Sequence, residues 1–333
     1  MTQRPYRVLL IDLAQAFGGA EVRVLAQARA LQGRVERCEV LTLRGSTLHE
    51  RLKQENLPHQ TVTVGRGNPG ILFEVRRVIK DGGFQVVDAH NVQSILWGDF
   101  AAALAGARGR VATIHSDYGS EYPGLKGKLY DGVVTASRSV VKHYINVTEV
   151  LQQKAQREGY GGRSTLIPNA VLIPPEPLPK KDTRFYGEWG FAPDDFVVGI
   201  LARLKPVKGH SYLIDAFGQL KDLPQAKLLI VGDGPLEAEL KAQVESLGLG
   251  KRVVFTGFRQ DIPDILQAID CMPASLSEAP YAVLEAASYA RPLLVTAVGG
   301  LKTLLKHQDT GLLVAPKDAA GLADAVRWMS VIK

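Results

Sequence analysis

The chain is predicted to be an α/β protein of two domains, each built on a parallel β-sheet. Short apolar runs such as Phe196-Val197-Val198-Gly199-Ile200-Leu201 alternate with stretches at helical spacing. That is the pattern of βαβ units whose strands are covered on both faces. At 333 residues the chain also exceeds the length at which one core usually keeps growing. Finally, Pro168, Pro174, Pro175, Pro177 and Pro179 crowd the segment Leu166–Pro179. Proline at that density continues neither a helix nor a central strand, so the segment reads as a stiff, extended connector. The boundary is placed there, giving domains 1–173 and 174–333.

In the first domain, Arg7–Ile11 is a buried-strand candidate, followed by the loop Asp12–Gly19 and a helix from Glu21 to about Leu31. Further strands are expected at Glu39–Leu43, Gln60–Val64, Val86–Ala89, Val111–His115 and Gly132–Thr135. Helical patterns fall near Leu48–Glu55, Ile71–Asp81, Ile95–Leu104 and Ser137–Tyr144, and none is expected over Lys126–Asp131. The second domain opens with Lys180–Asp195, which carries a short helix around Thr183–Trp189. Strand Phe196–Leu201 leads through Ala202–Gly209 into a helix over His210–Leu220. Strands at Lys227–Val231, Arg252–Thr256, Asp270–Ala274 and Pro292–Thr296 follow, with helices reaching Leu247 and near Val283–Ala290. With strands parallel, the loops that follow them emerge on one edge of the sheet.

Apolar residues make up 46% and charged residues 22%, which excludes wholesale disorder. A formal charge of +6 suits an anionic partner, either a phosphorylated small molecule or an anionic membrane surface. Nucleic acid is not expected, since zinc-ligand spacing, RNP-like aromatics and long basic runs are missing. Cys38 and Cys271 sit in apolar strand-like contexts and indicate no disulfide framework. Met1-Thr2-Gln3-Arg4-Pro5 runs into a strand without the apolar core of a signal peptide. The longest apolar stretch, Ile95–Ala107, is broken by Asp99 and is too short to span a bilayer. A cytoplasmic protein is expected, with peripheral contact at the inner face of the membrane compatible.

The chemistry gathers at the carboxyl edge of the second domain. Arg203 and Lys208 follow a strand, and Lys208 precedes Gly209 and a helix start, where free N–H groups and the dipole favour an anion. Arg203 can grip phosphate oxygens in a fork while Lys208 adds a point charge, so a diphosphate is neutralised without a metal. Solvated loop charges are the alternative for each cation taken alone. The loop is not a Walker A loop. Glu278 and Glu285 require a different partner, because carboxylates repel phosphate and accept hydrogen bonds from vicinal hydroxyls. For Glu285 the alternative is an acid serving a helix N-terminus. Together the two pairs suit a nucleotide-sugar.

Other motifs are weaker. Gly18-Gly19-Ala20-Glu21 opens a helix and permits close backbone approach, but it does not satisfy Gly-x-Gly-x-x-Gly. Gly232-Asp233-Gly234 fails the same pattern and is assigned to its turn. His115 ends a strand where it could donate to a sugar hydroxyl or orient an acceptor; a satisfied strand-end histidine is the alternative. His90 is left with that plainer role. No His/Cys/Asp cluster has metal-ligand spacing, and no Gly-x-Ser-x-Gly elbow is present.

The order of Ala202-Arg203-Leu204, Lys208-Gly209, Val231-Gly232-Asp233-Gly234-Pro235, Val254-Phe255-Thr256-Gly257, Ser275-Leu276-Ser277-Glu278, Leu284-Glu285-Ala286 and Val298-Gly299-Gly300 resembles the donor half of the retaining glycosyltransferases of family 4 (glycosyl transferase group 1). Gly18-Gly19-Ala20-Glu21, Thr113-Ile114-His115 and Ile167-Pro168-Asn169 are similar to that family's acceptor loop, active-site histidine and interdomain strand end. The resemblance implies the GT-B architecture: two Rossmann-like domains facing an interdomain cleft. It implies a UDP- or GDP-linked hexose as donor, a glycan or lipid-linked sugar as acceptor, retention of configuration, no metal, and a place in polysaccharide or glycoconjugate biosynthesis. By the same resemblance Arg203 and Lys208 hold the diphosphate, Glu278 the donor sugar and Glu285 the ribose. Gly19 approaches phosphate or sugar, and His115 faces the transferred hexose. Backbone at Gly257, Phe258 and Arg259 meets the base, with Ala279 and Tyr281 completing the donor contacts. The expected mechanism is front-face attack without a protein nucleophile.

The sequence departs from the family pattern in several places. Six residues separate Glu278 from Glu285, where the family has seven. Asp270–Ser275 is about two residues shorter than expected, and the chain stops soon after Trp328, short of the family's returning helix. Non-catalytic nucleotide-sugar binding or scaffolding is the alternative function, with sugar-nucleotide epimerisation a third.

Overall fold

The structure is a computed structural model that describes residues 4–65, 67–122, 124–174, 181–274, 281–297 and 305–332. The chain divides into two compact units, residues 1–169 and 170–333.

The first unit contains β1 (Arg4–Asp12), α1 (Gly19–Leu31), β2 (Val35–Leu43), α2 (Thr47–Gln54), β3 (His59–Val62), α3 (Gly70–Asp81) and β4 (Val86–His90). It continues with α4 (Asn91–Ser94), a π-helical turn Ile95–Asp99, α5 (Phe100–Ala105), β5 (Gly109–Ile114), α6 (Tyr118–Glu121) and α7 (Leu125–Ser137). β6 (His143–Asn146), α8 (Glu149–Arg157) and β7 (Ser164–Leu166) close it. The seven strands form one sheet in the order β3-β2-β1-β4-β5-β6-β7, parallel at every described pairing. The apolar run of β1 is continuous because both of its faces are buried. Leu9 and Ile11 pack with Ile71 and Val75 of α3, whereas Val8 and Leu10 pack with Val24 and Leu25 of α1.

The first unit holds α8 and β7, which the sequence does not predict, and one stretch inverts the expected assignments. Gly132–Thr135, expected as a strand, lies within α7, and the strand is β6, which begins at the end of the segment Ser137–Tyr144 expected as a helix. Val133-Val134-Thr135 is a β-branched run, yet Gly127, Val134 and Ser137 are buried along one helical face. A side chain at Gly127 would collide with the carbonyls of Tyr122 and Gly119, so close packing of α7 against α6 fixes the helix. Tertiary contact outweighs local propensity here. The helix thought missing over Lys126–Asp131 is therefore present.

The second unit contains α9 (Tyr186–Trp189), β8 (Phe196–Leu201), α10 (His210–Gln219), β9 (Ala226–Val231), α11 (Glu237–Ser246), β10 (Val253–Gly257), α12 (Ile262–Ala268), β11 (Met272–Ala274), α13 (Tyr281–Ser288), β12 (Leu293–Thr296) and β13 (Leu312–Val314). A final described helix covers Ala319–Val331. The strands pair as β10-β9-β8 and β11-β12-β13, and a single bridge between Val198 and Cys271 joins the two ladders. The seam has a chemical cause. Cys271 takes the bonds to β8, with Gly199 N donating to its carbonyl at 3.0 Å. Two residues on, the next donor toward β8 would be Pro273, which has no N–H. Gly199 belongs at the seam too, since a Cβ there would meet the side chain of Ile269.

Candidate functional site

In the second unit the strand order reverses between β8 and β11. Such a switch point leaves a crevice at the carboxyl ends of the strands. Arg203 and Lys208 lie there, in the loop after β8. Ala202 N donates to Val231 O at 3.0 Å, Leu204 N to Asp233 O at 2.8 Å, and Leu236 N to Leu204 O at 3.2 Å. The loop is thereby stitched to the one after β9. Gly232 (φ +137°) and Gly234 (φ +156°) make the stitching possible. A Cβ at Gly232 would collide with Ala202 O, and one at Gly234 would sit 2.6 Å from Leu204 O. These glycines were assigned only to their own turn; their further role is to admit the backbone that carries Arg203.

Arg203 is half-buried, and its guanidinium makes no hydrogen bond or ion pair among the described residues; its carbonyl accepts from Lys205 N at 2.8 Å. Lys208 ends a 3-10 turn, and Gly209 (φ +69°) bends the chain into α10. Lys208, Gly209, Tyr212, Ala274, Thr296 and Lys317 line a small open pocket. The Thr296 hydroxyl is buried without a partner among the described residues. Both ring nitrogens of the buried His210, the first residue of α10, are also unpartnered there. Burial, followed by the charge of Lys208, lowers its pKa to about 4, so the ring is neutral.

Glu285 projects from α13, half-buried, and no cation pairs with it among the described residues. Burial alone raises its carboxyl above the ordinary range. Tyr281 begins the same helix and is buried. Glu278 and Ala279 lie outside the described residues, as do Ser275–Ser277 and Val298-Gly299-Gly300 of the motifs. Gly257 ends β10 at φ +69°, and Phe258 beside it is exposed. Arg259 is committed to Asp261 through bonds of 2.8 and 2.6 Å and lies over the Phe185 ring. Its side chain is thus held within the fold.

In the first unit the order reverses between β1 and β4. Register places Asp12 beside His90, and His90 beside Thr113. His115, just past β5, is half-buried, and its Nε2 lies 2.9 Å from His90 Nδ1. Burial, then the charges of His90 and Arg23, holds the His115 ring well below its ordinary pKa. His90 Nε2 faces the Asp88 carboxylate at 3.4 Å. Asp88 also accepts from Gln27 Nε2 and Thr113 Oγ1, each at 2.8 Å. Burial pushes the Asp88 carboxyl upward, but His90 and these hydrogen bonds hold it below its usual value.

Asp12 accepts from Ala14 N at 2.8 Å and from Asn91 Nδ2 at 3.0 Å. It is raised well above its ordinary value by burial and by Glu21, itself raised by burial. Gly18 precedes α1 with φ −165°, an extended conformation open to any residue, so its smallness is what remains useful. Arg23 of α1 donates to the carbonyls of Ile167 and Pro168 and to Asn169 Oδ1 at 3.0–3.2 Å. His90, read from the sequence as a plain strand-end histidine, and Asp88, which the sequence does not single out, are the residues whose part emerges only here. Their two-residue spacing at the end of a strand puts both side chains on one face, which is the signal that could have found them.

Among the described residues no group of three His, Cys, Asp or Glu side chains is placed to hold a metal ion. Nor is any described helix long and apolar enough to cross a membrane.

Comparison with known proteins places the family and the fold. Residues 17–172 match the family described as Glycosyltransferase Family 4, and residues 195–330 match Glycosyl transferases group 1. The UDP-Gal:alpha-D-GlcNAc-diphosphoundecaprenol alpha-1,3-galactosyltransferase of Escherichia coli is 27% identical over 268 residues, covering 77% of this chain and 68% of that protein. The phosphatidyl-myo-inositol mannosyltransferase of Mycobacterium leprae is 26% identical over 345 residues, covering 93% and 83%. Among solved structures, Anabaena HepE in complex with UDP and glucose superposes with a TM-score of 0.82 at 24% identity, covering 97% of this chain and 89% of that one. With both units matched in sequence and the architecture matched in structure, the chain belongs to the family 4, group 1 glycosyltransferases of GT-B fold.

Proposed function

We infer that this protein transfers a hexose from a nucleotide diphosphate sugar, UDP- or GDP-linked, to a glycan or lipid-linked sugar, with retention of configuration and without a metal. The observation that carries the reading is Arg203. It is a cation without an ion pair among the described residues, fixed by a backbone splice at the switch point of the second unit. Lys208 and the start of α10 stand in the same loop. A fork-shaped cation, an ammonium and free N–H groups together suit the developing charge of a departing diphosphate. Glu285, half-buried and without a cation among the described residues, suits the paired hydroxyls of a ribose. Glu278, Ala279 and Tyr281 complete the donor contacts in this proposal, and the backbone at Gly257, Phe258 and Arg259 meets the base.

On the acceptor side, His115 faces the transferred hexose and Gly19 approaches the donor. Asp12, Glu21 and Asp88 are all buried, which supports attack without a carboxylate nucleophile from that edge. The leaving phosphate then takes the proton of the attacking hydroxyl. Two relatives are named for transfer to lipid or lipid-linked acceptors, which favours that acceptor class and work in glycoconjugate assembly. Incubating the protein with labelled UDP- and GDP-sugars and mixed acceptors tests the reading. Glycosylated product with released nucleotide is expected; donor binding without transfer or hydrolysis would replace an enzyme with a binding protein.

A further inference from the structure

His115 meets His90 at 2.9 Å, nitrogen to nitrogen. At that distance one ring must donate and the other accept. The choice is made on the far side of His90. There Nε2 is buried, with the Asp88 carboxylate 3.4 Å away and no aligned hydrogen-bond acceptor among the described residues. The contact is long for a hydrogen bond and acts mainly as charge attraction. Asp88 is itself fixed by donation from Gln27 of α1 and Thr113 of β5. Glu21 and Arg23 of α1 are the other charged groups that act on the histidine pair. A carboxylate in this position keeps a proton on His90 Nε2, as carboxylates do when they orient an imidazole. Nδ1 of a neutral His90 then bears the lone pair and accepts from His115 Nε2–H. His115 is left with its own lone pair on Nδ1.

We propose that Asp88 and His90 are positioning residues that hold His115 in its Nε2–H tautomer, so that its Nδ1 accepts a hydrogen bond from a sugar hydroxyl. This rests on the reading of His115 as the residue facing the transferred hexose. It commits the site to a sugar with a free hydroxyl at that place. A deoxy or O-methyl analogue there cannot donate, and it loses about tenfold or more in kcat/KM.

The test uses the full chain labelled with ¹⁵N-histidine, its two-bond proton–nitrogen spectrum reporting the tautomer of each ring. The chain has seven histidines, and His115→Gln assigns the one of interest. Wild type is expected to show protonated Nε2 and bare Nδ1 at His115. His90→Phe removes the acceptor, so the ring becomes a tautomer mixture and kcat falls about tenfold, the scale of one hydrogen bond. His90→Asn, whose amide oxygen replaces Nδ1, restores the single tautomer and most of the rate. A purely structural role for His90 would not link the tautomer to the rate in this way. Protonated Nδ1 at His115 in wild type, as an imidazolium at His90 would impose, overturns the proposal. So does a His90→Phe chain with unchanged tautomer and unchanged kcat. If His90→Phe fails to fold, wild type and His90→Asn decide by the same spectrum. If no donor is turned over, the spectrum still decides the tautomer, and the failure then belongs to the proposed function.

Discussion

Lys208→Ala is expected to reduce kcat/KM for transfer by roughly a hundredfold or more, the scale on which a single preorganised charge-stabilising donor acts. Its thermal unfolding should stay close to wild type, because Lys208 lies in a surface loop beside a pocket and not in either core. Near-normal turnover would remove Lys208 from the proposed diphosphate site. Glu285→Gln tests the proposed ribose contact, and the burial of Glu285 gives a pH signature. Burial raises the carboxyl of Glu285, so the folded state holds its proton more tightly than the unfolded chain does. That contribution is present below the unfolded pKa and is lost as pH rises through the folded one. Glu285→Gln should therefore unfold at a higher temperature than wild type at pH 7, and the gap should close on acidification below about pH 4. Donor KM should rise roughly ten- to a hundredfold, the scale of a hydrogen bond to a charged group. A variant that gains stability while keeping donor affinity would show that Glu285 serves only its helix.

Among the secondary-structure elements, the loop after β8 is the most exacting. Gly232→Ala is expected to destabilise the protein by about 1–3 kcal/mol and to lower donor affinity in step, because the added Cβ displaces the backbone under Arg203. Denaturant unfolding and donor titration on the same sample check both effects. α10 offers a second case. His210 has a folded pKa of about 4 against an ordinary 6.5, so below the latter the unfolded chain binds a proton that the folded one refuses. Stability then falls as pH drops from about 6.5 to 4, by roughly 3 kcal/mol at most. His210→Leu should flatten that slope and leave stability at pH 7 unchanged or higher, since the ring makes no hydrogen bond among the described residues. An unchanged slope would place the acid-sensitive group elsewhere.

These elements also mark what the sequence displays. β8 was legible residue for residue, because an apolar run buried on both faces ends abruptly in a charged loop. Residues 125–146 were not, because the β-branched run at Val133-Val134-Thr135 mimics a strand and only the contact of Gly127 with α6 reveals the helix. Within the candidate site, Arg203, Lys208, Glu285 and His115 announced themselves by residue type at strand ends or helix starts. His90 did not, since its meaning depends on the register that sets β4 beside β5. Gly232 and Gly234 likewise read as turn residues until a second loop is seen to pass over them.

For the molecule as a whole, each unit has its own sheet and its own reversal of strand order, and candidate chemistry gathers at each reversal. Cations gather in the second unit, and a buried histidine–carboxylate chain in the first. This division suits the proposed transfer, in which a charged donor would sit at one sheet edge and hydroxyl recognition at the other. The most direct test is transfer itself, measured by mass spectrometry of acceptors incubated with UDP- or GDP-hexose, with Lys208→Ala in parallel. An acceptor heavier by one hexose residue and released nucleotide diphosphate are expected, with both lost in the variant. Donor-dependent thermal stabilisation without any transferred or hydrolysed sugar, across the whole donor and acceptor set, would contradict the proposed transfer.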